Sequence, residues 1–162
     1  MIKTFLFDID NTLYDYDAAH QAAFRAVSAY ACRAYGLTPD AFIALHKRGN
    51  QLLQERVGSV TAAIHNRLIR YQIMLEELGR HMGGAPRMAE LYWSTFLDAM
   101  EPGAGLADCM AALKEQGFRL GVAGGCFRLV VLGLDARLFC FLMFLNVTGV
   151  CVLNRFIIYG CV

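Results

Sequence analysis

At 162 residues with a formal net charge of +1, the chain suits one domain or a core with an insert. The charge balance points to no nucleic-acid or other polyanionic partner. Hydrophobic residues are 57% of the chain, high for a soluble protein, and none of the cysteines forms a Cys-x-x-Cys pair or a zinc spacing, so free thiols in a reducing cytoplasm are expected.

Ile2, Phe5, Leu6 and Phe7 read as a short strand buried on both faces, as in a parallel sheet. Asp8 interrupts the apolar run, which argues against a signal peptide. Asp10 and Thr12 follow at alternate positions. Carboxylates at the C-terminal edge of a buried strand lie where open α/β sheets bind ligands. Alternate residues leaving a strand point the same way, so Asp8 and Asp10 reach one small site. Like charges so close repel. A hard cation with oxygen ligands, Mg2+ first, relieves the repulsion, or one carboxylate holds a proton and supplies a general acid.

Asp8-Ile9-Asp10-Asn11-Thr12 after an apolar strand resembles motif I of the haloacid dehalogenase (HAD) superfamily. Asn11, Leu13 and Tyr14 resemble its helical-cap phosphatase branch, which includes nucleotidase-like members. The resemblance implies an α/β fold: a HAD-like Rossmannoid core with a parallel sheet and an inserted four-helix cap. It implies a Mg2+-dependent phosphomonoester hydrolase acting through an aspartyl-phosphate on a small phosphorylated metabolite, nucleotides included. Asp8 would be the nucleophile and Asp10 the acid–base. Mg2+ would sit on the Asp8 carboxylate and the Asp10 backbone carbonyl. Asn11, Thr12, Gly124 and Gly125 would surround the phosphoryl group. The Asp10 side chain argues against the dehalogenase branch. Phosphonate hydrolysis would require a cap lysine as Schiff base, and Lys47, between His46 and Arg48, reads as solvated.

Four helical stretches follow. The first is capped by Asp15 or Asp17, carries Phe24, Val27 and Ala31 on one face and ends at Gly36. Thr38 and Pro39 read as N-cap and first position of the second, whose apolar side (Phe42, Leu45, Leu52, Leu53) is interrupted by Gly49. The third shows Val60, Ile64, Leu68, Tyr71, Leu75 and Leu78 at helical period. The loop 79–86 precedes a fourth with Met88, Leu91, Tyr92, Thr95, Phe96 and Ala99 on one face. Residues 17–101 thus read as a helical insertion in a core made of 1–16 and 102–162. His65, Arg67 and Arg70 could meet a second phosphate or a leaving group, but a solvated helix face is the expected role. Tyr92 and Trp93 could stack a base, but core packing is expected.

A helix over 105–116, with Leu106, Met110 and Leu113 inward, ends at Gly117. Arg119–Ala123 then reads as a second buried strand. The family ends this strand with a hydroxyl residue; here Gly124 and Gly125 stand in its place, and their amides could form an anion nest. The family also places a lysine and further acids downstream. Lys114 is the last lysine, and Asp135 the last acid.

From Cys126 onward the only charged residues are Arg128, Asp135, Arg137 and Arg155. Three readings stand for this divergent tail: core strands such as 129–134 and 138–145, a membrane segment, or sequence foreign to the fold, as a shifted reading frame or misplaced chain end would give. The abrupt composition change at Cys126 favours the last, and polar interruptions at Asn146, Thr148 and Gly149 argue against a spanning helix. The functional alternative to a phosphatase is accordingly a catalytically impaired HAD fragment or binding module that lacks the lysine and downstream acids.

Overall fold

The computed structural model describes residues 4–59, 61–124 and 128–131. They divide into two compact units. Asp17–Met100 forms one, and the residues flanking it, up to Tyr16 and from Glu101, form the other.

The flanking unit carries a three-stranded sheet of order β1-β2-β3. β1 (Thr4–Phe7) runs parallel to β2 (Arg119–Gly124), with Thr4 opposite Arg119 and Phe7 opposite Val122. Both strands therefore end at the same sheet edge. Leu120 and Val122 are buried, and Phe5 packs edge-on against Phe118 at 4.9 Å between ring centroids. The helix Leu106–Glu115 packs against β2, its Leu106, Met110 and Leu113 half-buried. Gly117, at φ 81°, turns the chain from that helix toward the strand, a conformation that suits glycine.

Two expectations are corrected. β1 is not buried on both faces: Leu6 is 58% exposed, and along the strand exposed and half-buried positions alternate, one face covered less than the other by the described residues. The sheet is also mixed. β3 (Arg128–Val131) pairs antiparallel with β2, Gly124 opposite Arg128. Only residues 125–127 separate the two strands, whereas a parallel return needs a crossover of about a dozen residues or more. Beyond Val131 the tail, with Asp135 and the strand expected at 138–145, lies outside the described residues.

The other unit is helical. α1 (Tyr16–Tyr35) enters it and buries Ala19, Ala23, Val27 and Ala31, one residue per turn. α2 (Pro39–Val57) starts where expected: Thr38 Oγ1 accepts the Ala41 N–H at 3.2 Å, with Pro39 in the first turn. α3 (Arg67–Glu77) begins later than its periodicity suggests. Residues Ala62–His65 form a 3-10 turn, and Asn66 caps α3 by accepting the Ile69 N–H at 3.1 Å. α4 (Ala85–Asp98) buries Ala85, Met88, Tyr92 and Phe96. Met82–Gly84 is a second 3-10 turn, so Pro86 lies inside α4 rather than in a loop. With these labels the helix at Leu106–Glu115 is α5.

The α2–α3 contact decides this unit's packing. Gly49 does not interrupt the apolar side of α2; it is buried where the helices meet most closely. A Cβ added there would lie 2.7 Å from Met74 Cγ and 3.6 Å from the Arg70 carbonyl oxygen. The ion pairs Arg48–Glu77 and Arg56–Glu76 span the same helices at the surface and add little, as exposed pairs do.

Gly49→Val forces the two backbones apart. It lowers stability by about 2 kcal/mol or more through overpacking, seen as a lower melting temperature. Unchanged melting would show that the helices do not meet at this glycine.

Candidate functional site

The carboxylates leave the sheet at the edge shared by β1 and β2. Asp8 follows Phe7, and the parallel register brings the end of β2, with Gly124, to the same edge. Asp8, Asp10, Asn11 and Thr12 are exposed, while Leu13 and Tyr14 are buried. The chain between them is a tight turn. The Ile9 carbonyl accepts the N–H groups of Thr12 at 3.2 Å and Leu13 at 3.0 Å. Asn11 has φ 57°, the left-handed region that asparagine tolerates better than most residues.

The turn is pinned from behind. The Leu13 carbonyl accepts the Gly103 N–H at 2.9 Å, and Tyr14 bridges to Pro102. The residues that end the helical insertion in sequence thus help hold the carboxylate loop.

Two side chains in the turn have defined partners. The Tyr14 hydroxyl donates to Asp10 Oδ1 at 2.6 Å. Asn11 Oδ1 accepts the Tyr16 N–H at 2.9 Å, at the start of α1. Its amide oxygen thus serves the helix entry that Asp15 or Asp17 was expected to cap. Of the four expected phosphate-binding residues, Asn11 and Thr12 sit in this turn and Gly124 ends β2. Gly125 lies outside the described residues. Tyr14 as the orienting partner of Asp10 is the contribution that residue types alone did not show. Its signal is the four-residue spacing, which a tight turn closes into a hydrogen bond.

The donors suit a hard cation. Mg2+ commonly takes one or two carboxylates and keeps several waters, and Asp8 and Asp10 are an exposed oxygen pair at one edge. Among the described residues no group of three or more His, Cys, Asp or Glu side chains is gathered.

The helical unit holds a second constellation. Arg67 and Arg70 were expected on a solvated face, but each is only 7% exposed. The buried face of α3 is rotated from the expected stripe, with Leu68 37% exposed, because long arginine stems pack as apolar groups do. Arg67 Nη2 donates to the Tyr92 hydroxyl at 3.1 Å, and its guanidinium lies 4.7 Å from the centroid of the Tyr92 ring. His20 Nδ1 lies 2.7 Å from the same hydroxyl. Arg67 also donates to the His65 carbonyl, and Arg70 to the Ile64 carbonyl at 2.7 Å.

His46 packs edge-on against Phe24 at 4.9 Å and stacks on Phe42 at 6.2 Å, so it is not the solvated neighbour of Lys47 that the sequence suggested. Burial first, and the charges of Arg70, Arg67 and His20 after it, push its pKa down to about 4. His20 is lowered by burial, then by Arg67 and Arg70, with Asp17 opposing. Tyr92 is buried, as expected, but its hydroxyl is also the hub of this cluster.

Comparison with known proteins agrees with the motif. A family model for haloacid dehalogenase-like hydrolases matches residues 2–150, past the composition change at Cys126. Ribulose-1,5-bisphosphate 5-phosphatase of Halopiger xanaduensis is 30% identical over 125 residues, covering 75% of this chain and 52% of that protein. The chain thus spans about half the length of this curated relative. The magnesium-bound HAD-hydrolase YfnB of Bacillus subtilis aligns with a TM-score of 0.51 at 23% identity, over 91% of this chain and 60% of that one. The 2-haloacid dehalogenase of Pseudomonas syringae pv. Tomato aligns at 0.59 and 20% identity, over 93% and 74%. At such identities the two structures speak for the fold alone. No helix among the described residues is long and apolar enough to cross a membrane.

His46 titrates at 6.5 when unperturbed and at about 4 in the fold. Between these values the unfolded chain binds the extra proton, so stability rises with pH across that window and is lost on acidification through it. His46→Phe keeps an aromatic ring without the titrating nitrogen. Its melting temperature falls less than wild type's between about pH 7 and about pH 4.5. Parallel curves for the two proteins would show that His46 is not held neutral by the fold.

Proposed function

The chain belongs to the haloacid dehalogenase-like hydrolases, and from that membership we propose that it hydrolyses phosphomonoesters of small metabolites through an aspartyl-phosphate on Asp8. The observation that carries this reading is the turn that sets Asp8 and Asp10 one residue apart at the sheet edge, with Asp10 oriented by the Tyr14 hydroxyl. A second carboxylate held in place can serve as the general acid and base of phosphate ester cleavage. The curated relative is itself named a phosphatase.

In this mechanism Asp8 attacks phosphorus in line. A bond forms from its carboxylate oxygen to phosphorus while the ester P–O bond breaks, and Asp10 gives its proton to the departing oxygen. Asp10 then takes a proton from water as that water attacks the phosphoryl-aspartate, releasing inorganic phosphate and restoring Asp8. Tyr14 keeps the Asp10 carboxylate aimed through both transfers. The Thr12 and Asn11 side chains and the backbone of Gly124 are the groups near the shared edge that would hold phosphoryl oxygens. Mg2+, held by the Asp8 carboxylate and the Asp10 backbone carbonyl, would supply neutralising charge that lets an anionic nucleophile approach a phosphate. The helical unit, inserted in sequence directly after this turn, would act as the cap that selects substrate.

One observation favours a second reading, a binding module of the same lineage. Lys114, the last lysine, sits exposed at the end of α5, before β2 rather than after it. A missing charge-neutralising donor costs about 3 kcal/mol of transition-state stabilisation or more.

Hydrolysis of phenyl phosphate with and without Mg2+, beside Asp8→Asn, separates the two. The phosphatase reading expects Mg2+-dependent turnover that falls by about 10³-fold or more in Asp8→Asn. Tyr14→Phe loses about tenfold in kcat, the worth of one hydrogen bond to a charged group. Folded protein with no turnover above the Asp8→Asn control would favour the binding module. Mg2+ raises the melting temperature of wild type more than that of Asp8→Asn, because a ligand of the folded state stabilises it. Equal shifts would remove Asp8 from the metal site.

A further inference from the structure

Among the described residues Asn11, at φ 57°, is the one non-glycine residue with a left-handed backbone; elsewhere the chain gives that region to Gly36, Gly58, Gly79, Gly105 and Gly117. Glycine enters it at no steric cost, whereas a side chain brings a Cβ that crowds the backbone. A side chain at such a position is accounted for when it makes a bond that glycine cannot. Asn11 makes such a bond, its Oδ1 accepting the Tyr16 N–H at 2.9 Å. Tyr16 opens α1, and the first N–H groups of a helix have no acceptor within it.

This bond overlaps another. Asp10 and Tyr14 are joined by the Tyr14 hydroxyl at 2.6 Å and by a backbone bridge. The link from Asn11 to Tyr16 starts one residue later and ends two residues later, so both links run from the tip of the turn to the residues that lead into α1. The backbone at residue 11 decides whether both can form. With Asn11 left-handed the chain folds back, and the Ile9 carbonyl receives the N–H groups of Thr12 at 3.2 Å and Leu13 at 3.0 Å. An extended residue 11 would carry Thr12 and Leu13 away from Ile9, and Tyr14 away from Asp10. The bond to Tyr16 opposes that swing from outside the ring that Asp10 and Tyr14 close.

We propose that Asn11 is a positioning residue: its side-chain bond to the Tyr16 N–H locks the left-handed turn and thereby holds the Tyr14 hydroxyl on Asp10. It acts through Asp10, a role distinct from contact with phosphoryl oxygens. As a catalytic contribution this rests on the phosphatase reading, in which Asp10 is the acid and base. As a brace of the turn it stands without that reading.

The test rests on Asn11→Gly, which keeps the left-handed backbone accessible and deletes the amide. Its first arm compares two aryl esters by kcat/KM, which reports events up to the first phosphoryl transfer. Phenyl phosphate has a more basic leaving oxygen than 4-nitrophenyl phosphate and depends more on the Asp10 proton. Asn11→Gly is expected to lower kcat/KM about tenfold for phenyl phosphate and only about twofold for 4-nitrophenyl phosphate. A lost phosphate contact or a smaller folded fraction would lower both equally, and an equal loss overturns the proposal. The second arm needs no turnover. Wild type, Asn11→Gly, Tyr14→Phe and the double variant form a cycle of melting temperatures. The double variant is expected to lose less than the sum of the single losses, because releasing one link already frees the other. Additive losses overturn the proposal. Non-additive losses in a chain that turns over neither ester fail the phosphatase reading and leave the brace standing.

Discussion

The turn from Ile9 to Tyr14 is the constraint on which the sheet edge depends. Its outer residues, Asp10, Asn11 and Thr12, are exposed, yet its end is fixed by two of the more deeply buried side chains, Leu13 and Tyr14. Burial of these anchors is roughly 2 kcal/mol apiece by transfer data. The Leu13 carbonyl and the Tyr14 backbone then meet Gly103 and Pro102, so the segments before and after the helical insertion hold one another. The backbone that carries Asp10 is thus held from behind, directly after the strand that delivers Asp8 to the sheet edge.

The helical unit solves a different problem. Its apolar faces are ordinary: small residues, three alanines and Val27, at successive turns of α1, a glycine that lets α2 lie against α3, aromatic rings of α4 stacked on one another. Within that packing it carries two buried guanidiniums and two imidazoles held below their usual pKa. Such a cluster lowers stability in acid.

The first strand, the acid pair, the caps at Thr38 and Pro39, and the second strand were all legible in the sequence, because each depends on local chemistry: apolar runs, capping side chains and fixed φ. Four features were not. Asn66 breaks the third helical pattern, since a cap and an interior asparagine look alike until the turn before it is known. Arg67 and Arg70 read as solvated because charge dominates hydropathy while their long stems do the packing. Gly49 read as an interruption because the sequence does not show which partner approaches it. The antiparallel β3 was hidden by an expectation of parallel strands, although the short 125–127 link already forbids a crossover. In the site, Asp8 and Asp10 were readable from spacing, while the Tyr14 bond to Asp10 needed the turn's three-dimensional closure.

In the proposed mechanism Asp8 is the nucleophile that accepts the phosphoryl group from the ester. The most direct measurement is peptide mass spectrometry of Asp10→Asn protein quenched in acid during exposure to an aryl phosphate. An aryl leaving group departs with little protonation, so the first transfer proceeds while water attack, deprived of its base, is slow. The account predicts a phosphoryl group accumulating on the peptide that contains Asp8, absent when Asp8 is also changed to Asn. Turnover by the wild-type chain with no phosphoryl group on Asp8 under these conditions, or with one on another residue, would contradict it.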